Sequence, residues 1–197
     1  MRVAVSLTDD FIAEISREFP RFRVVSKKDD ALSKAIDLAL RIVTLGHQKH
    51  YLTHYYTVIF HTLYTPEGWE QSDDLDRVIT LRHERVHLRQ LRRYSAPGMV
   101  FLYLLPFLPM GLAYGRARIE WEAYTETLRA TAELRGLPAA RSPHLRKHIL
   151  KQFTSGSYGW MWPFEAQLSR WYDEAMAQIE REVSGRPPEP TTMDQEG

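Results

Sequence analysis

Cysteine is missing from this chain of 197 residues. Its absence excludes disulfides, thiolate metal ligands and cysteine nucleophiles together, while leaving the redox compartment open. A dominant charge is missing too, since 26 basic and 25 acidic side chains leave +1. That balance gives no electrostatic reason to expect a nucleic-acid partner. The N-terminal stretch MRVAVSLTDDFIAEI lacks a long apolar core and turns acidic at Asp9, so it does not read as a secretory signal, and a cytoplasmic setting is expected. No internal repeat is visible. Apolar residues make up 44% of the chain, which suits one domain with a sizeable core.

The elements that are there read as an α+β domain, mainly helical, with a small sheet. Thr8 is a candidate cap for a first helix over 9–18, whose Phe11, Ile12 and Ile15 share a face. RFRVVS reads as a short strand, and 29–43 as a helix stopped at Gly46. YLTHYYTVIFHTLYTPEGW is rich in β-branched and aromatic residues and closes on Pro66 and Gly68, predicting one or two strands and a turn. Ser72 then offers an N-cap, with Asp73, Asp74 and Asp76 in a first turn that favours anions, for a helix running to about Tyr94. Further helices are expected over 116–135, over 142–153 and after Pro163, the last with Phe164, Leu168, Trp171, Tyr172, Ala175 and Ile179 on one side. The domain is expected to span 1–183, leaving 184–197 (SGRPPEPTTMDQEG) as a tail with nothing to bury.

The chemistry concentrates in LRHERVHLRQ. Residues four apart stack along a helix, so Leu75, Ile79, His83, His87 and Leu91 fall on one line. Two imidazoles one turn apart on a core-facing stripe are costly unless something satisfies both, and a shared cation does so. Glu84 sits one residue round from His83, where a carboxylate can reach a metal-activated water without being a ligand. Histidines on a charged helix are the plainer alternative. A site of this kind needs a third protein ligand. RIEWEAYTET is the later segment with carboxylates on a strong helix: Glu120 and Tyr124 share a face with Leu128, and Glu122 points roughly 160° away at about 3.6 residues per turn.

HERVH followed some thirty residues later by EWEAY resembles the gluzincin type of zincin metallopeptidase, whose downstream helix carries a Glu-x-x-Ala pattern. The resemblance covers about a quarter of the chain. It implies a zincin-like domain with its small sheet before the motif helix, one catalytic zinc held by His83, His87 and Glu120, Glu84 as general base, and a peptide or protein substrate. Several such families have an aspartate four residues after the ligand glutamate; here Tyr124 stands there, and its phenol would give an imidazole weaker support.

One long uncharged run is present, the 22 residues from Tyr94 to Gly115. About 20 apolar residues can cross a bilayer, but a crossing would part the histidines from Glu120, and Pro97, Pro106 and Pro109 suit no continuous helix. A buried helix turning back at 106–109 is the expectation, with peripheral membrane contact through 94–115 the alternative. TVIFHTLY is a candidate edge strand for pairing with a peptide. Tyr158, between Gly156 and Gly159, is the candidate oxyanion donor, with His144 and His148 next. Trp160 and Trp162 either line a pocket or cap a core, and His54 and His61 read as structural. Against the peptidase stand two rivals: a non-catalytic zinc-binding scaffold, and a membrane-associated protein with incidental histidines.

Overall fold

The computed structural model describes residues 6–27, 57–59, 61–104, 113–155 and 161–185. The architecture is α+β and mainly helical. Helix α1 (Leu7–Glu18) leads to strand β1 (Arg23–Ser26), then to β2 (Thr57–Ile59) and β3 (Thr62–Thr65). A short 3-10 turn (Trp69–Gln71) precedes α2 (Asp74–Leu104) and α3 (Ala113–Arg135). Helices α4 (Leu137–Ala140), α5 (Pro143–Thr154) and α6 (Glu165–Ser184) complete the described chain. The helix read over 29–43 and the turn at 106–109 lie outside the described residues, as does the tail beyond Gly185. Among the described residues no helix is long and apolar enough to cross a membrane.

The chain divides into two compact units, 1–127 and 128–197, with the boundary inside α3. In the first, β3 is the middle strand, parallel to β1 and antiparallel to β2. Leu63 of β3 packs with Ile15, Phe19, Phe22, Trp69, Leu81 and Leu88 in one buried cluster. α1 is therefore held against α2 by its apolar face, and arginines lock the edge. Arg85 reaches Glu14 at 2.8 Å and Glu18 at 2.5 Å, and Arg89 reaches Glu18 at 2.9 Å. Arg92 lies over the Phe19 ring, 4.5 Å from its centroid.

Two caps differ from the sequence expectation. Ser6, not Thr8, caps α1 by accepting from the Asp9 amide at 3.1 Å. Thr8 instead donates its hydroxyl to the Asp74 carboxylate, which also accepts the Leu7 and Thr8 amides. Ser72 closes the 3-10 turn with a hydroxyl bond to the Gly68 carbonyl at 3.2 Å, and α2 starts at Asp74. The break expected after Tyr94 is real: Ser95 has φ 62° and ψ 166°, a conformation L side chains rarely adopt, and helical turns resume beyond it through Pro97 to Leu104.

In the second unit, Gly136 at φ 87° ends the preceding helix, where a side chain would be strained. Ser142 caps α5 through the Leu145 amide. Ile149 and Phe153 pack in a core with Leu168, Tyr172, Met176 and Ile179 of α6, and the Tyr172 hydroxyl donates to the Ala140 carbonyl at 2.8 Å. Phe164 departs from its expected buried face: it is exposed, edge-on to Trp162. Trp162 is buried, donates to Gln167 and caps this core.

Candidate metal centre

Helices α2 and α3 run antiparallel. Leu102 of α2 lies so close to Gly115 that a Cβ there would meet it at 2.9 Å. Further back along α2, Gln90 reaches Ile119 and Glu122, and His83 reaches Thr127. Moving up one helix is thus moving down the other, which brings Glu120 level with the histidine pair. Arg82 to Glu126 (2.5 Å) and Arg93 to Glu122 (3.3 Å) pin the two helices on their outer edges.

Three donor sets converge. His83 Nε2 and His87 Nε2 are 3.3 Å apart, and His87 Nε2 is 3.7 Å from Glu120 Oε2. Ligand atoms of all three residues lie within 4.8 Å of one another. Metal bonds of about 2.0–2.1 Å to nitrogen and oxygen in tetrahedral array put neighbouring ligand atoms about 3.3 Å apart. The spacing of the two histidines matches that edge, and the 3.7 Å from His87 to Glu120 is a few tenths of an ångström longer. Two imidazoles and one carboxylate form a donor set that could hold a divalent transition-metal ion.

The tautomers agree with this. Gln90 is fully buried, and its amide nitrogen donates to the Ile119 carbonyl and to Glu122, each at 3.0 Å. That fixes the amide so that its oxygen faces His87 Nδ1 at 2.9 Å, and the ring must donate there. Thr127 donates to the Ala123 carbonyl at 3.3 Å, leaving its oxygen to accept from His83 Nδ1 at 3.0 Å. With both protons on Nδ1, both Nε2 lone pairs turn towards the same point, where only a cation or a shared proton satisfies them.

The electrostatics of the cluster are mixed. Burial pushes His83 well below the ordinary histidine value, and the neighbouring His87 charge pushes the same way. For His87 burial also lowers the pKa, but Glu120, Glu84, the Gln90 bond and Glu122 outweigh it and the net direction is up. Burial raises the Glu84 carboxyl to about 7; Glu120 adds to the rise, and His87 and Lys27 oppose it. A carboxyl poised near neutrality is what proton transfer at physiological pH requires.

The other sequence candidates fall as follows. Glu122 stands behind His87, through Gln90, and pairs with Arg93. Tyr124 meets His83 ring to ring, with centroids 4.9 Å apart. His144 and His148 are exposed on α5, in the second unit. His61 lines a cavity of about 420 Å³ together with Phe19, Leu88, Leu91 and Arg92, and that cavity includes none of the three donors. TVIFHTLY divides into β2 and β3, with β2 at one edge of the described sheet. Tyr158, Trp160 and His54 lie outside the described residues. Sequence reading missed Gln90, Thr127 and Lys27. Gln90, three residues after His87, and Thr127, seven after Glu120, occupy helical spacings that could have flagged the first two.

Compared with protein-family models, curated proteins and solved structures, the chain has no significant match. Any functional assignment therefore stands on this site.

Proposed function

We propose that this chain is a zinc-dependent hydrolase that cleaves peptide bonds. One observation carries the reading: the donors of His83, His87 and Glu120 gather within 4.8 Å, with Glu84 buried beside them. The gluzincin-like HERVH and EWEAY segments support the same choice of residues. Zinc held there would supply the Lewis acidity that brings a water's pKa towards about 7. Glu84 would serve as the general base, taking a proton from an attacking water and passing it to the leaving amine. Gln90 and Thr127 hold the two rings in the ligating tautomer. A purely structural site has no use for a buried base beside its ligands, which favours hydrolysis over a zinc-binding scaffold. The substrate implied is a peptide or protein met in the cytoplasm.

The test combines metal analysis with a fluorogenic peptide library. Wild type should hold one zinc and cleave, and Glu84→Gln should keep the zinc while kcat falls by about 10²–10⁴-fold. Full zinc without cleavage of any peptide would leave only the scaffold. Undiminished cleavage by Glu84→Gln would remove the assigned base.

A further inference from the structure

The arginines of α2 are paired with carboxylates, with one exception. Arg77 meets Asp74, Arg82 meets Glu126, Arg85 and Arg89 meet Glu18, and Arg93 meets Glu122. Arg92 meets no carboxylate among the described residues. Its guanidinium donates instead to the Glu18 carbonyl at 2.7 Å and lies over the Phe19 ring. The group is therefore held in place with most of its five N–H donors unused. Arg92 is also the α2 arginine that lines the cavity of about 420 Å³. Arg21 lines it too, exposed and with no hydrogen-bond or ion-pair partner among the described residues. His61 adds a third basic side chain, and the rest of the lining is apolar, with no acid. The cavity spans the break in α2, since Ser95 falls between Arg92 and Ala96.

This lining sets what can fill the space. Inorganic phosphate would pair with the guanidinium groups but leave Phe19, Leu88 and Leu91 facing water. A neutral apolar molecule would cover those side chains and leave both cations without a counter-charge. A molecule with an apolar body and one carboxylate satisfies both, because a guanidinium fork takes a carboxylate through two parallel bonds. A guanidinium already pinned by its own contacts loses little freedom on binding. The volume lies in the range of small-molecule sites, about 300–1,000 Å³. We propose that this cavity binds a small amphipathic carboxylate, its acid head on Arg92 and Arg21 and its apolar body between Phe19, Leu88, Leu91 and Ala96. The site shares no residue with the metal donors and does not depend on the hydrolase reading.

The experiment titrates full-length protein with octanoate by calorimetry, with and without zinc. Saturable binding is expected, weakening about fourfold for each methylene removed in heptanoate and hexanoate. 1-Octanol and octylammonium, which keep the tail, should bind about tenfold more weakly or worse, and inorganic phosphate should not compete. Arg21→Gln, at an exposed residue with no partner to lose, should weaken octanoate about three- to tenfold. Arg92→Lys, which keeps the charge without the fork, should weaken it about tenfold. Ala96→Phe, which fills the space, should remove binding. Zinc stoichiometry should stay at the wild-type value in every variant, so loss of the carboxylate site and failure of the metal reading are told apart. Equal affinity for octanol and octanoate would overturn the proposal, as would wild-type octanoate binding in folded Arg21→Gln and Arg92→Lys. Competition by phosphate would reduce the site to a bare anion contact and overturn the amphipathic ligand. Absence of saturable octanoate binding would remove the site altogether.

Discussion

Two histidine pairs in this chain share the same four-residue spacing, His83 with His87 on α2 and His144 with His148 on α5. Their surroundings differ in every other respect. The α2 rings each have an oxygen acceptor at Nδ1, Gln90 or Thr127, and Glu120 of a second helix lies 3.7 Å from His87 Nε2. The α5 pair lies exposed on its helix, with His148 Nε2 placed 3.4 Å from the Gln152 amide nitrogen. Among the described residues only the first pair joins a three-donor cluster. Spacing aligns two imidazoles; a second helix makes them a site.

The comparison breaks most sharply at the carboxylates. Glu120→Ala should abolish stoichiometric zinc binding, whereas Glu122→Ala, which reaches the centre through Gln90, should weaken it by about tenfold. Equal losses by metal analysis would erase the distinction between ligand and support. Next in size are the residues that set the tautomers. Gln90→Ala and Thr127→Val should each lower zinc affinity about 10–100-fold, while Gln152→Ala, beside the exposed pair, should leave it unchanged in the same competition assay.

Protons sharpen the contrast further. The pKa of His87 is raised, so below that value the metal-free protein carries a proton that zinc must displace. Zinc affinity should therefore fall as pH drops through the His87 titration, with proton release visible as a buffer-dependent binding enthalpy. His148, whose ring is partly covered although the residue is exposed, is shifted down first by that desolvation and then by the His144 and Lys151 charges, so the α5 pair should add no such dependence.

A smaller effect separates the two edges of α2. The Arg89 hydrogen bond, opposed by burial and reinforced by Arg85, lowers Glu18 from 4.5 to about 2. Its folded pKa lies below the unfolded one, so its contribution to stability is present above pH 4.5 and is lost as pH falls towards 2. Glu18→Gln should flatten thermal stability over that window. Zinc affinity at neutral pH should not move.

The histidine spacing, the adjacent Glu84 and the helical register of α2 were legible because helix period alone decides them. The strands at 23–26, 57–59 and 62–65 were legible from their β-branched and aromatic runs. The partners of the rings were not, because the reach of Gln90 and Thr127 depends on how α3 is rotated against α2, which no local pattern encodes. Tyr124 was placed on the ligand face from helical spacing, and its ring meets that of His83 edge-on. The cap at Ser6 was misplaced to Thr8 because both are good capping residues, and Asp74 claims Thr8 from far along the chain. Lys27 was passed over because a lysine ending a strand reads as solvated, whereas it is fully buried.

The central claim is that one divalent cation binds His83, His87 and Glu120. Titrating metal-free protein with zinc tests it directly, comparing wild type with His83→Ala/His87→Ala and with His144→Ala/His148→Ala. The account predicts one equivalent in wild type, none in the α2 double variant and one in the α5 double variant. Binding that survives loss of His83 and His87, or vanishes with His144 and His148, would contradict it.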